Sequence, residues 1–275
     1  MLNDYPIWIF KTEDKGEITM KINVPASTIV VGLIITIAYL GVQKIDQEKV
    51  SNNKMTAIAV EDSVVLEETV EQGETNVQDE KIIIDGVPFI QQMPELARGC
   101  EVTSLAMLLQ YAGVAVDKMT LAEEINTVSF KDQNGLYGNP NDGFVGDIYS
   151  FDHSGYGVYH GPIADLAESY LPGRIIDLTG ESIDTVYERV RSGSPVWVIV
   201  NSRFTSLPDS EFETWNTQSG EVEITYREHS VVVVGYDENY VYLNDPLASE
   251  PYTSVSREAF EAAWEQMGQQ AISIQ

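Results

Sequence analysis

The chain has 275 residues and is poor in three residue types that carry chemistry or charge, with one cysteine, three histidines and 16 basic residues against 43 acidic ones. A single cysteine excludes intrachain disulfides, so the fold depends on packing alone. The formal net charge of −27 argues against nucleic acid as a partner, because the sequence contains no clustered basic patch to offset the repulsion. The few scattered histidines provide no convincing ligand set, so we expect no metal and no cofactor.

Charged residues are absent from 22–43, a mostly apolar stretch. At about 1.5 Å per residue, a helix of this length would span the roughly 30 Å of bilayer hydrocarbon, which predicts a transmembrane helix after a short polar segment at 1–21. A buried core helix is the alternative, although it would normally carry a polar face. No small-residue cleavage site follows the apolar run, which favours an uncleaved signal anchor. Lysines flank it on both sides, so charge does not decide the orientation.

Aromatic residues are absent from 44–82, where acidic and other polar residues dominate. Such a composition does not offset the entropic cost of ordering, so we expect an acidic flexible linker. The folded domain is then expected at 83–275.

Apolar periodicity within that domain predicts helices first and strands later, which indicates an α+β domain with an antiparallel sheet. The predicted helices begin at Cys100, Leu121, Pro162, Ile183 and Arg257. The predicted strands are Ile82 to Ile84, Val87 to Ile90, Val196 to Val200, His229 to Gly235 and Tyr240 to Asn244.

Cys100 lies where a loop becomes the first of these helices. The unpaired N–H groups and positive dipole end of a helix N-terminus favour a thiolate, so we expect a lowered pKa and a nucleophile. A lone cysteine is otherwise more often a buried small hydrophobic residue.

A thiol nucleophile needs a base, and His229 is the histidine that begins a strand. The returning strand ends in Asp245, which hairpin geometry would bring near His229 as the acceptor of its ring N–H. The side chain of Gln92 could donate to an oxyanion together with the Cys100 N–H, and spacing alone does not exclude Gln91. For His160 we expect a structural role at a helix start, and for His153 an exposed position.

The segments Val87 to Leu96 and Gly99 to Leu108 resemble bacterial papain-like cysteine peptidases related to bacteriocin-processing peptidases, the C39-like group. Similar segments continue in the same order through Asn139 to Gly146, Gly193 to Trp197 and His229 to Pro246. The resemblance covers roughly residues 84–270 and implies a papain-like fold, with the nucleophile helix packed on the sheet.

In that family Cys, His and Asp form a triad and a Gln completes the oxyanion hole, which by position implies Cys100, His229, Asp245 and Gln92. The resemblance therefore implies a cysteine peptidase acting on a peptide or protein substrate, with no cofactor. It also favours an extracellular position for the catalytic domain, on the single-pass cell-membrane anchor that residues 22–43 predict. Two alternatives stay open: an amidase or acyltransferase with the same triad, and a catalytically silent surface-anchored module that binds peptide or cell wall. The oligomeric state is not predicted.

Overall fold

The computed structural model describes residues 81–275. The polar segment at 1–21, the expected anchor at 22–43 and the linker up to residue 80 lie outside the described residues. Within 81–275, no helix is both long and apolar enough to cross a membrane.

Five α-helices and eleven strands make up this described part, in the mixed arrangement that the sequence predicts. The helices are α1 (Cys100–Tyr111), α2 (Lys118–Glu124), α3 (His160–Tyr170), α4 (Ile183–Arg191) and α5 (Arg257–Gln266). The strands are β1 (Ile82–Ile83), β2 (Thr127–Val128), β3 (Phe144–Val145), β4 (Ile175–Asp177), β5 (Val196–Asn201), β6 (Glu213–Thr217), β7 (Gly220–Ile224), β8 (Glu228–Tyr236), β9 (Tyr240–Asn244), β10 (Thr253–Ser256) and β11 (Ala271–Ile274).

The main sheet has seven strands in the order β10-β9-β8-β5-β11-β4, with β1 also paired to β8. Every pairing in it is antiparallel, as the sequence predicts. The central strands β5 and β8 are almost wholly buried, since both faces of the sheet are covered there. These two strands form the rigid platform of the domain.

Helix α1 packs on β5 and β8, and ten of its twelve residues are buried. Two hydrogen bonds fix it there. Ser104 Oγ donates to the carbonyl of Ser230 at 3.1 Å, and Trp197 Nε1 donates to the carbonyl of Glu101 at 3.0 Å. Both donors are buried, so losing either acceptor would leave an unpaired polar group, which costs about 1–3 kcal/mol. The start of α1 is therefore held in a fixed place over the sheet.

The predicted strand at Val87 to Ile90 is wrong, although the turn before it at Asp85 and Gly86 is present. Pro88 has no N–H to give to a ladder, and the N–H of Ile90 donates to Met107 Sδ at 3.4 Å. The side chain of Asn244 donates to the carbonyls of Val87 and Pro88. The segment therefore passes beside the end of β9 and is bonded to side chains.

The hairpin of β6 and β7 was not predicted. Its Trp215 is 1% exposed and stacks on Tyr137 with ring centroids 4.2 Å apart. Phe130 and Tyr156 meet the same indole edge to face. This aromatic cluster attaches the hairpin to the loops that border the candidate site.

Candidate active site

A cavity of about 390 Å³ opens at the N-terminus of α1, beside the beginning of β8. Its lining brings together three of the four predicted site residues, Gln92, Cys100 and His229. The rest of the lining comprises Ala97, Arg98, Phe151, Gly155, Tyr156, Ser202, Tyr226, Glu228 and Leu247. Phe151, Tyr226 and Leu247 are more than half exposed, so the rim of the cavity is apolar.

Cys100 is the first residue of α1, as the sequence predicts, and it is 8% exposed. Gly99 precedes it in close contact with Leu96, because a Cβ at residue 99 would lie 2.7 Å from Leu96 Cβ. Glycine there allows the loop to turn tightly into the helix, with no side chain capping the helix N-terminus. The thiol donates to Glu101 Oε2 at 3.3 Å.

The expectation of a lowered thiol pKa is wrong for this arrangement. Burial raises the pKa of Cys100 well above its ordinary value, and the carboxyl groups of Glu101 and Glu228 raise it further. A hydrogen bond from the backbone of Ser230 acts in the opposite direction but is outweighed. Cys100 is therefore a neutral thiol in this arrangement.

His229 lies at the beginning of β8, opposite Val200 of β5, and its side chain is 3% exposed. Its Nε2 lies 2.8 Å from Oδ1 of Asp245, the residue directly after the end of β9. The predicted hairpin geometry thus brings the two side chains together. The ring of Phe204 meets the imidazole edge to face, with centroids 6.1 Å apart. With Nε2 engaged, Nδ1 is the ring nitrogen left to interact with a substrate or a thiol.

Asp245 Oδ1 accepts a second hydrogen bond, from the backbone N–H of Leu247 at 2.8 Å. Burial acts to raise the pKa of Asp245, but the hydrogen bond and charge of His229 outweigh it, so this pKa lies below its usual range. The carboxylate is therefore ionised at neutral pH and orients the imidazole.

The two candidate glutamines occupy different environments. Gln92 is 3% exposed and lines the cavity, and its Nε2 donates to the carbonyl of Ala97 at 3.0 Å. Gln91 is exposed and donates to the carbonyl of Ala248, so it does not line the cavity. Gln92 Oε1 is buried and has no hydrogen-bond partner among the described residues, and the bond to Ala97 uses only one of the two Nε2 protons.

Two acidic residues at this site were not predicted from the sequence. Glu101 and Glu228 directly adjoin Cys100 and His229 in the chain, and their carboxyl groups meet beside the thiol. One ligand atom from each of Cys100, Glu101 and Glu228 lies within 4.8 Å of the other two. Within residues 81–275, this is the group of side chains that could hold a metal ion. A signal was available, since an acidic residue directly adjoins each of Cys100 and His229 in the sequence.

The other two histidines lie outside the cavity lining. His153 is exposed, as expected. His160 begins α3, and its Nδ1 lies 2.7 Å from Asp177 Oδ2 on β4. This pair joins the helix to the edge of the sheet, in keeping with a structural role.

Comparisons with known proteins identify the family. Residues 84–272 match the family described as Peptidase_C39 like. The chain is 52% identical over 182 residues to YvpB, an uncharacterized protein of Bacillus subtilis strain 168, and the match covers 66% of this chain and 71% of YvpB. It is 58% identical to a provisionally assigned C39-like peptidase from Bacillus anthracis. That crystal structure superposes with a TM-score of 0.71 over 72% of this chain and 98% of the other. The chain therefore belongs to the peptidase C39-like family.

Proposed function

We propose that this protein is a membrane-anchored cysteine peptidase in which Cys100, His229 and Asp245 hydrolyse peptide bonds. The observation that carries the proposal is the buried 2.8 Å bond between His229 Nε2 and Asp245 Oδ1 beside the cavity that Cys100 lines. A strand-borne imidazole that is oriented by a carboxylate and lines the same cavity as a lone thiol supports nucleophilic catalysis.

In the proposed acylation, the thiol proton passes to His229 Nδ1 and Cys100 Sγ attacks the substrate carbonyl carbon. The new C–S bond forms as the carbonyl oxygen takes up negative charge. His229 then gives its proton to the amine nitrogen, and the C–N bond breaks. Asp245 stabilises the imidazolium throughout, since its carboxylate already accepts the Nε2–H.

The oxyanion is proposed to bind the side chain of Gln92 and the backbone N–H of Cys100. The Cys100 N–H is one of the N–H groups at the start of α1 that lack intrahelical acceptors, and the helix dipole adds positive potential there. Each such donor contributes about 3 kcal/mol to transition-state stabilisation. Water activated by His229 then attacks the thioester, releasing the acid and restoring the thiol.

The experiment is to incubate the full chain with a diverse peptide library and to identify cleavage products by mass spectrometry. We expect cleavage by the unmodified protein, and none after Cys100→Ala substitution or iodoacetamide treatment. His153→Ala is the matched control, because this histidine is exposed and lies outside the cavity. Undiminished cleavage by Cys100→Ala would refute the assignment.

The membrane part of the proposal rests on the uncharged stretch 22–43. We expect the full chain to stay in the membrane fraction after alkaline carbonate extraction, and Ile35→Lys to release it, because a charge at mid-span costs about 3 kcal/mol. Protease added to intact cells should digest the C-terminal domain if it faces outward. Release of the unmodified chain into the carbonate supernatant would contradict the anchor.

A silent binding module is the second candidate, and one observation favours it. The raised pKa of Cys100 is what a structural thiol would show, because it leaves little thiolate at neutral pH. Binding of a peptide without cleavage at any pH would support that function. An amidase or acyltransferase would instead show transfer to added amines, with the same dependence on Cys100.

A further inference from the structure

Two carboxyl groups occupy the space beside the Cys100 thiol. Glu101 Oε1 accepts the N–H of Val158 at 2.8 Å, and its Oε2 accepts the thiol proton at 3.3 Å. Glu228 Oε1 is buried and has no hydrogen-bond partner in the described chain. Glu101 thus accepts the thiol proton, and one oxygen of the neighbouring Glu228 carboxyl group has no donor in the described chain.

Gly157 provides the space for both carboxyl groups. A Cβ at this position would overlap Glu101 Oε1 and lie 2.8 Å from Glu228 Oε2. The backbone of Gly157 is fixed from the other side, since its carbonyl accepts the N–H of Val145 at 3.0 Å. Glycine at residue 157 is therefore required for the close approach of the loop to the pair, and the pair is part of the built site.

Within residues 81–275, neither Glu101 nor Glu228 forms an ion pair with a lysine or an arginine. The groups that face the pair are the Cys100 thiol on α1 and the phenols of Tyr156 and Tyr159, whose oxygens are 3.1 Å apart. Arg98 lies on the cavity wall but donates to the carbonyls of Asp147 and Ser150. No described cation offsets the two carboxyl charges.

Two adjacent buried carboxyl groups cannot both ionise readily, so at least one retains a proton. Burial raises the pKa of Glu101 to about 7. Burial and then the neighbouring Glu101 raise the pKa of Glu228 well above its ordinary value. An ionised carboxyl group in this place opposes a thiolate on Cys100, whereas a protonated one does not.

We propose that Glu101 and Glu228 share a proton beside Cys100 and act as positioning residues that control when the nucleophile ionises. The inference rests on the proposed function for its catalytic meaning, but the ionisation itself is measurable without any substrate. While the pair is ionised, Glu101 holds the thiol as a neutral donor. While the pair keeps its proton, the thiol is free to give its own proton to His229. Peptidase activity then declines on the alkaline side of its pH profile. The decline begins at a lower pH than it would if only the Cys100 thiol and the His229 imidazole titrated.

The test is the pH dependence of Cys100 alkylation by iodoacetamide, followed by mass spectrometry of the full chain. Glu101→Gln and Glu228→Gln keep the shape of each side chain and remove its charge. We expect the alkylation midpoint to fall by about one pH unit or more in each, a roughly tenfold increase in thiolate below the midpoint. Glu250→Gln is the control, because Glu250 is exposed on the loop after Asp245, and its midpoint should match that of the unmodified protein. Unchanged midpoints in both variants overturn the proposal.

A second measurement needs no variant. At about pH 6, where ordinary carboxyl groups are ionised, the unmodified chain should retain an infrared absorption of a protonated carboxylic acid. Its absence overturns the proposal even if a variant fails to fold. The peptidase function and the role of the carboxyl pair can be refuted separately. Lowered alkylation midpoints without peptide cleavage refute the peptidase function but not the role of the pair. Cys100-dependent cleavage with unchanged midpoints refutes only the role of the pair.

Discussion

Replacement of Asp245 tests how much of the proposed catalysis depends on orienting His229. The His229 Nε2 and Leu247 N–H groups both converge on Asp245 Oδ1 at 2.8 Å. In Asp245→Asn the amide oxygen can take this position and accept both bonds, so the geometry is kept and the charge is lost. In Asp245→Ala both buried donors lose their acceptor.

The magnitudes follow from the strength of these bonds. A hydrogen bond to a charged group contributes about 1.5–3 kcal/mol and a neutral one about 1 kcal/mol. The difference between the two is about 0.5–2 kcal/mol, so we expect Asp245→Asn to lower kcat/KM about 2- to 30-fold. For Asp245→Ala we expect about 10- to 150-fold from the lost bond, and more from the unpaired Leu247 N–H.

The assay is kcat/KM for one peptide cleaved by the full chain, with thermal unfolding measured in parallel to separate catalysis from folding. Asp152→Asn is the control, because Asp152 is an exposed aspartate on a loop. Activity of Asp245→Ala equal to that of the unmodified protein would refute the role of Asp245. Equal losses in Asn and Ala variants would show that charge, and not orientation, is what Asp245 provides.

Three further sets of substitutions test the surroundings of Cys100. Gln92→Ala should lower kcat by about 10²-fold with little change in KM, because it removes one oxyanion donor, whereas Gln91→Ala should leave kcat near its starting value; equal effects would contradict the assignment. Because the folded-state pKa of Glu101 is raised to about 7, the folded state binds more protons than the unfolded one, and stability should fall as pH rises from about 4.5 to 7. Urea unfolding should show this slope flattened in Glu101→Gln, and an unchanged slope would contradict the raised pKa. Gly157→Ala should lower the unfolding free energy by about 1–3 kcal/mol, since its Cβ overlaps the Glu101 carboxyl group, and a variant as stable as the unmodified chain would contradict that close approach.

Strong local patterns predicted the parts of the fold that carry the site. The beginning of α1 at Cys100, the buried strand from Val196 and the hairpin ending at Asp245 all appear where the sequence placed them. In each case apolar periodicity and a helix or turn signal point to the same structure. The strand and turn spacing was also sufficient to bring His229 and Asp245 together.

Long-range contacts decided what the sequence did not predict. The β6 and β7 hairpin alternates weakly in polarity, and its position depends on Trp215 packing against residues far away in the chain. The thiol environment depended on contacts of the same kind. The helix N-terminus favours a thiolate locally, but burial, Glu101 and then Glu228, which reaches Cys100 only through the tertiary fold, raise the pKa of the thiol.

Capture of the covalent intermediate is the most direct measurement of whether Cys100 is the nucleophile. The full chain is mixed with a cleaved peptide, quenched in acid during turnover and mapped by tandem mass spectrometry. We expect the acyl portion of the peptide on Cys100 as a thioester, and no adduct in Cys100→Ala. Peptide turnover with no acyl group on Cys100 would contradict it.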